Sequence, residues 1–155
     1  MRILGLDYGA KTVGAALSDP LCVTAQGLET IIRPKENHLR STLREILSVI
    51  EKYHVDRIVV GYPLNMDDTA GERAVRSEEF ARLLQQKTSL PVFLWDERLT
   101  TVEADEILEE SGVHVSERKR YIDKIAAQLI LESYMNAMEE YGPEREPGIR
   151  VAPQS

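Results

Sequence analysis

From residue 37 to residue 95 the chain alternates between helical and strand periodicity, and this alternation limits it to few folds. Leu39, Leu43, Ile46, Leu47 and Ile50 recur at helical spacing with charged residues between them, which predicts an amphipathic helix over 37–53. Residues 56–61 form an apolar run of the buried-strand type. A second helix is expected over 70–87 through Ala74, Phe80, Ala81 and Leu84, and another strand over 90–95. Strands joined by single helices pair in parallel, since the connection must return along the length of the sheet. Upstream, 2–7 and 13–18 flank a Gly-containing turn and read as a hairpin, with a third strand near 27–33 that Pro34 ends. Downstream, helices are expected over 100–110 and 120–140, the latter with Ile122, Ile125, Ala126 and Leu129 on one stripe. The order implies an α/β fold. Its mixed five-stranded sheet has the first strand central, the second antiparallel to it, and helices on both faces.

A chain of 155 residues with 43% hydrophobic and 29% charged residues supports one core and is not disordered, collagenous or coiled-coil. The expected domain is 1–141. Residues 142–155 contain Pro143, Pro147 and Pro153 with little apolar content and read as a mobile tail. No apolar run approaches the ~20 residues of a membrane helix, and the first residues lead directly into a strand pattern rather than a signal peptide. Cys22 is the single cysteine, so no intramolecular disulfide can form. A cytoplasmic protein without a membrane partner is expected. The net charge of -7, from 26 acidic and 19 basic residues, argues against coating nucleic acid by bulk electrostatics but leaves room for a local basic patch.

In open α/β sheets ligands collect beyond the carboxyl ends of the strands. Three polar clusters map there: 7–9, 65–69 and 96–98. Asp7 ends a buried strand and aims a carboxylate at the cleft, although an Asp also initiates turns well. Asp96 and Glu97 are adjacent, so period-two alternation sends them to opposite faces. Glu97 is the better candidate for a shared site, with Asp96 bracing the turn that follows. Asp123 lies early in the last helix, where an acid complements the dipole. Ala127 and Ile130 continue its side of that helix, so Asp123 opens an apolar face and requires a partner. Carboxylates converging without a cation repel one another and raise their pKa values, and a hard divalent metal resolves the repulsion.

Residues 5–12 approach a P-loop, but Ala10 stands where glycine is needed and a strand follows instead of a helix. The same strand-turn-strand resembles the phosphate loop of actin-like ATPases, which need two such lobes. Arg118, Lys119, Arg120 and Lys124, with Arg73, Arg76 and Arg98, form a basic set near the acids, suited to positioning a phosphate backbone. His38, His54 and His114 follow no metal-ligand spacing and read as surface or interface residues.

Taken in order, 6–11, 61–69, 96–104 and 122–134 resemble the motifs of the YqgF/RuvX family of bacterial proteins. The resemblance implies a ribonuclease H-like fold related to Holliday junction resolvases, and a nuclease role at the 5′ end of the pre-16S rRNA in ribosome biogenesis. Carried over by position, it implies Asp7, Glu97 and Asp123 as catalytic, metal-binding acids holding one or two magnesium (Mg2+) or manganese (Mn2+) ions. The 65–69 loop, with Asn65, would line the cleft, and Asp68 stands where that loop usually has glycine. Lys11, Arg98 and Lys124 are the candidates for phosphate contacts. The expected reaction is metal-assisted hydrolysis of a phosphodiester. The alternatives are a Holliday junction resolvase, a non-catalytic nucleic-acid-binding factor of ribosomal particles, and an ATPase-like module. A junction resolvase needs a symmetric dimer, for which no exposed apolar helix face is evident, so a monomer acting on single-stranded RNA is expected over one acting on branched DNA.

Overall fold

The computed structural model of the chain describes residues 1–34, 39–65, 67, 69–97, 118–141 and 146–153, with 118–124, 140 and 141 described by their helical backbone. Within them, β1 (Ile3–Tyr8) and β2 (Thr12–Ser18) form the expected hairpin, paired antiparallel from Leu4↔Leu17 to Tyr8↔Val13. Its turn closes with the Gly9 N–H donating to the Thr12 carbonyl at 2.9 Å. Next come β3 (Ala25–Gly27), β4 (Ile31–Ile32), α1 (Arg40–Tyr53), β5 (Arg57–Tyr62), α2 (Glu72–Thr88) and β6 (Val92–Asp96). A long helix, α3 (Arg118–Tyr141), and the short β7 (Ile149–Arg150) complete the order. The sheet runs β3-β2-β1-β5-β6-β7, with β4 also on β2. β1, β5 and β6 are parallel, as the helical crossovers require.

Strand parity divides the core into two layers. Leu4, Leu6, Val13, Ala15, Ile58, Val60, Val92 and Leu94 pack against Ile46 of α1 and Phe80, Ala81 and Leu84 of α2. On the opposite face Ile3, Ala16, Val59 and Phe93 pack against Ala127, Ile130, Leu131 and Tyr134 of α3. Each fully buried aliphatic or aromatic side chain among these contributes roughly 1.5–3 kcal/mol. On the α3 face Gly5 lets the helix approach the sheet closely. A Cβ on Gly5 would lie 2.9 Å from the Leu131 Cβ. Trp95 Nε1 donates to Ser133 Oγ at 3.0 Å and its ring meets Tyr134 edge-on at 5.7 Å, which fixes α3 across β6.

The sheet has seven strands among the described residues rather than the expected five, and the structure departs from the sequence reading in four further details. The third strand is split: β3 pairs with the end of β2 (Ala16↔Gly27) and β4 with its start (Thr12↔Ile32), with 28–30 between them. The buried stripe of the last helix is Ala126, Ala127, Ile130, Leu131 and Tyr134, and Ile125 and Leu129 are only half-buried. The 142–155 segment is not wholly an undocked tail. Ile149 and Arg150 pair with Leu94 and Phe93, and the Val151 N–H donates to the Val92 carbonyl at 2.8 Å. Val151 is buried, so this segment needs one apolar anchor and an open sheet edge rather than an apolar composition. Leu47, placed on the buried face of α1 by its spacing, is 37% exposed. The helix expected over 100–110 lies outside the described residues. No helix among those described is long and apolar enough to cross a membrane.

Candidate active site

Asp7 is the fifth residue of β1, and its neighbours on the same face, Ile3 and Gly5, pack toward α3. Parity therefore places Asp7 on the α3 side, at the carboxyl end of the sheet. Glu97 follows β6 directly, and its N–H donates to the Tyr62 carbonyl at 3.3 Å, continuing the ladder beyond Asp96. It therefore keeps the parity of Phe93 and Trp95 and also faces α3. Asp96, paired with Tyr62, has the opposite parity and is exposed. The choice of Glu97 over Asp96 as the residue facing the Asp7 side agrees with the structure.

Glu97 reaches Asp7 by lying across the backbone of β5. A Cβ on Gly61 would run into Glu97 Oε2 and lie 2.7 Å from Ile130 Cδ1, so only glycine leaves the space that this carboxyl occupies. Glu97 is 8% exposed and hydrogen-bonds to the Asp7 side chain. Burial first, and then the Asp7 charge, push its carboxyl up to about 8, with the Arg73 guanidinium opposing the shift. A carboxyl raised this far takes up a proton to share with its neighbour, or requires a cation.

Position 123 is in the helical backbone of α3, one turn before Ala127 and two before Ile130. Ile130 packs at Gly61, while Tyr134 accepts a 2.9 Å hydrogen bond from Arg57 at the start of β5. α3 thus runs against β5, and its N-terminal turns approach the end of the sheet that carries Asp7 and Glu97. The side chains of Asp123 and Lys124, and Arg98 entirely, lie outside the described residues. Among the described residues no cluster of three potential metal ligands is present.

The 65–69 loop is held by its own contacts. Asn65 Nδ2 donates to Thr69 Oγ1 at 3.0 Å and the Asn65 N–H to the Thr69 carbonyl at 2.9 Å. The Thr69 N–H and hydroxyl both donate to Asp67, which lowers its pKa. Asn65 packs on Gly71, where α2 begins, so its first service is to the loop. Lys11 is exposed on the β1–β2 turn, four residues after Asp7 in the chain. His54 is an exposed left-handed residue ending α1 (φ 54°), and His38 and His114 lie outside the described residues.

Sequence reasoning missed Gly61 and Arg33. A glycine one residue from the end of a buried strand, level with two candidate acids on neighbouring strands, was the available signal for the first. Arg33 carries no motif. It packs beside the turn that follows Asp7, with its Nη1 donating to the Gly9 carbonyl and its guanidinium 4.5 Å from the Tyr8 ring centroid.

The sheet order and its helical crossovers make this a mixed α/β protein of ribonuclease H-like fold. The fowlpox virus resolvase bound to Holliday junction DNA matches at TM-score 0.53 and 14% identity, covering 89% of this chain and 99% of that one. T. thermophilus RuvC with a Holliday junction substrate matches at 0.50 and 14% identity, over 92% and 96% of the two chains. At such identities the likeness concerns the fold alone. The family model described as "RuvX: Holliday junction resolvase" matches residues 1–137, and the chain belongs to that family. A relative from Lachnospira eligens is 59% identical over 140 residues, covering 90% of this chain and all of its own length. One from Geobacillus sp. is 49% identical over 139 residues, again over its full length. Both bear the name "Putative pre-16S rRNA nuclease".

Proposed function

We propose that the protein is a metal-dependent nuclease that hydrolyses phosphodiester bonds at the 5′ end of pre-16S rRNA. The observation that carries this reading is the Asp7–Glu97 pair, in which a buried carboxyl raised to about 8 faces a second carboxylate over a glycine-made space. Two oxygen-donor side chains brought together at the cost of mutual repulsion suit a hard divalent cation. Asp7 and Glu97, with Asp123 as the third acid, would hold magnesium or manganese. Such an ion, when bound, activates water and neutralises charge developing on the phosphate. Without a cation the pair would share a proton, which a bound ion would displace. Among the described residues, Ile130 of α3 packs beside the Glu97 carboxyl over Gly61. Lys11, Arg98 and Lys124 would contact the phosphates, and the 65–69 loop would border the strand.

The names of the curated relatives favour RNA, and the net charge of -7 favours a substrate that a modest basic rim can hold, so single-stranded RNA bound by a monomer in the cytoplasm is the proposed setting. The family description and the fold neighbours favour the second reading, symmetric cleavage of a four-way DNA junction. Side-by-side cleavage of a pre-16S 5′ segment and a four-way junction at matched salt, together with the solution mass, separates the two. Faster cutting of the RNA by a monomer is expected. Paired, symmetric cuts in the junction by a dimer would establish the resolvase instead. Binding of RNA with no cleavage in either metal would leave the assembly-factor role.

A further inference from the structure

On the face of the sheet opposite α3, the end of β1 opens into a cleft of about 230 Å³. The 8–10 turn, Arg33, Glu72, Arg73 and Arg76 line it. Among the described residues, three of the four charged side chains that line it are guanidinium groups, in a protein whose net charge is -7. Arg33 is 7% exposed and is fixed by its backbone N–H donating to the Lys11 carbonyl at 2.8 Å and by its stacking on Tyr8. The Tyr8 ring, which lines the cleft, also contacts Phe80 at a centroid distance of 4.1 Å, so it is held between Phe80 and the Arg33 guanidinium. The cleft wall includes the start of α2, whose N-cap, Gly71, has no side chain, so the positive end of a 17-residue helix adds to the arginines. Glu72 offsets one charge by pairing with Arg76 at 2.8 Å, but both are exposed and such a pair yields readily to a stronger anion. The volume is below the ~300–1,000 Å³ of pockets that enclose whole small molecules, and it suits a phosphate with part of a sugar.

We propose that this cleft seats an internal backbone phosphate of the nucleic-acid strand, flanking the phosphodiester held at Asp7 and Glu97, and sets the strand's register without reading its bases. The inference rests on the nuclease reading above and adds a second, metal-independent contact point to it. Arg73 joins the two places, since it lines the cleft and its charge is felt by Glu97. Bidentate guanidinium groups suit a phosphate in this role, and a sequence-neutral seat suits an enzyme that cuts at a position fixed elsewhere in its substrate.

The test is fluorescence anisotropy of short single-stranded RNAs with the full chain in chelator, so that no metal bridges protein and phosphate. Arg73→Gln and Arg76→Gln, both at exposed positions, should each weaken binding about tenfold. The loss should be equal across unrelated sequences, with the salt slope falling by ~0.7. Glu72→Gln should tighten binding. Oligonucleotides with 5′-phosphate and 5′-hydroxyl ends should lose equally. Unchanged affinity and slope in both arginine variants overturns the seat, as does a loss confined to one sequence or to 5′-phosphorylated strands. Thermal melts matching the parent establish that the variants are folded. The nuclease reading fails separately, if the parent binds these strands in this way and never cuts them in magnesium or manganese.

Discussion

At the scale of single residues the proposed chemistry would depend on Glu97 and the glycine beneath it. In the cation-free protein the Glu97 carboxyl ionises at about 8, against an ordinary value of 4.5. Between those values the folded state keeps a proton that the unfolded chain has released, so stability is fully present below pH 4.5 and declines as pH rises through 8. The decline should be on the order of a few kcal/mol. Melting curves in chelator from pH 4 upward should show it in the parent and show a flatter profile in Glu97→Gln; matching slopes would contradict the assignment. If the pair binds magnesium as proposed, the ion would take the place of the proton and should flatten the parent's profile. Gly61→Ala tests the same geometry from below. Its methyl group would meet both Glu97 Oε2 and Ile130 Cδ1, so denaturant unfolding should show a loss of about 1–3 kcal/mol, and cleavage should fall with the displaced carboxyl. A Gly61→Ala variant as stable and active as the parent would show that Glu97 acts from another position.

Elements differ in how much of them the sequence reveals, and the reason lies in how each is held. α1, α2, β5 and β6 are stabilised by apolar faces with regular spacing, and periodicity finds them. β3, β4 and β7 have two or three residues each and are held by backbone pairing to a neighbour, which leaves no pattern to read. The C-terminal segment is the clearest case. Beside Val151, it is held by Glu146, which accepts from Arg150 at 3.0 Å and lies 3.9 Å from Arg57. Gly148 makes the approach, with φ of 85° and Leu94 O where a Cβ would stand at 2.7 Å. Truncation after Tyr141 should therefore cost about 2–3 kcal/mol. It should lower the melting temperature by roughly 5–10 °C. A truncated chain that melts with the parent would mean that β7 adds no stability. The candidate site was legible to the extent that parity and strand ends fix it. Asp7 and the preference for Glu97 over Asp96 followed from the sequence, whereas Arg33 did not, because its position depends on the break between β3 and β4.

At the scale of the whole molecule, the two faces of the sheet have different tasks. The α1–α2 face carries most of the larger core and, at its upper edge, the arginine cleft. The α3 face is packed closely through Gly5 and Gly61 and holds the two carboxyls against a helix that Trp95 and Tyr134 anchor. If Asp7 and Glu97 form a cation-requiring catalytic pair, Asp7→Asn is the most direct probe of it, because the change keeps the shape of the side chain while removing its charge. The measurement is cleavage of a single-stranded pre-16S 5′ segment by parent and variant in magnesium and in chelator, with melting curves for both. The parent should cut only with the ion. Asp7→Asn should fold, melt at least as high as the parent in chelator because the repulsion with Glu97 is relieved, and cut slower by orders of magnitude. An Asp7→Asn protein that cuts as fast as the parent in magnesium would contradict the catalytic role of the pair.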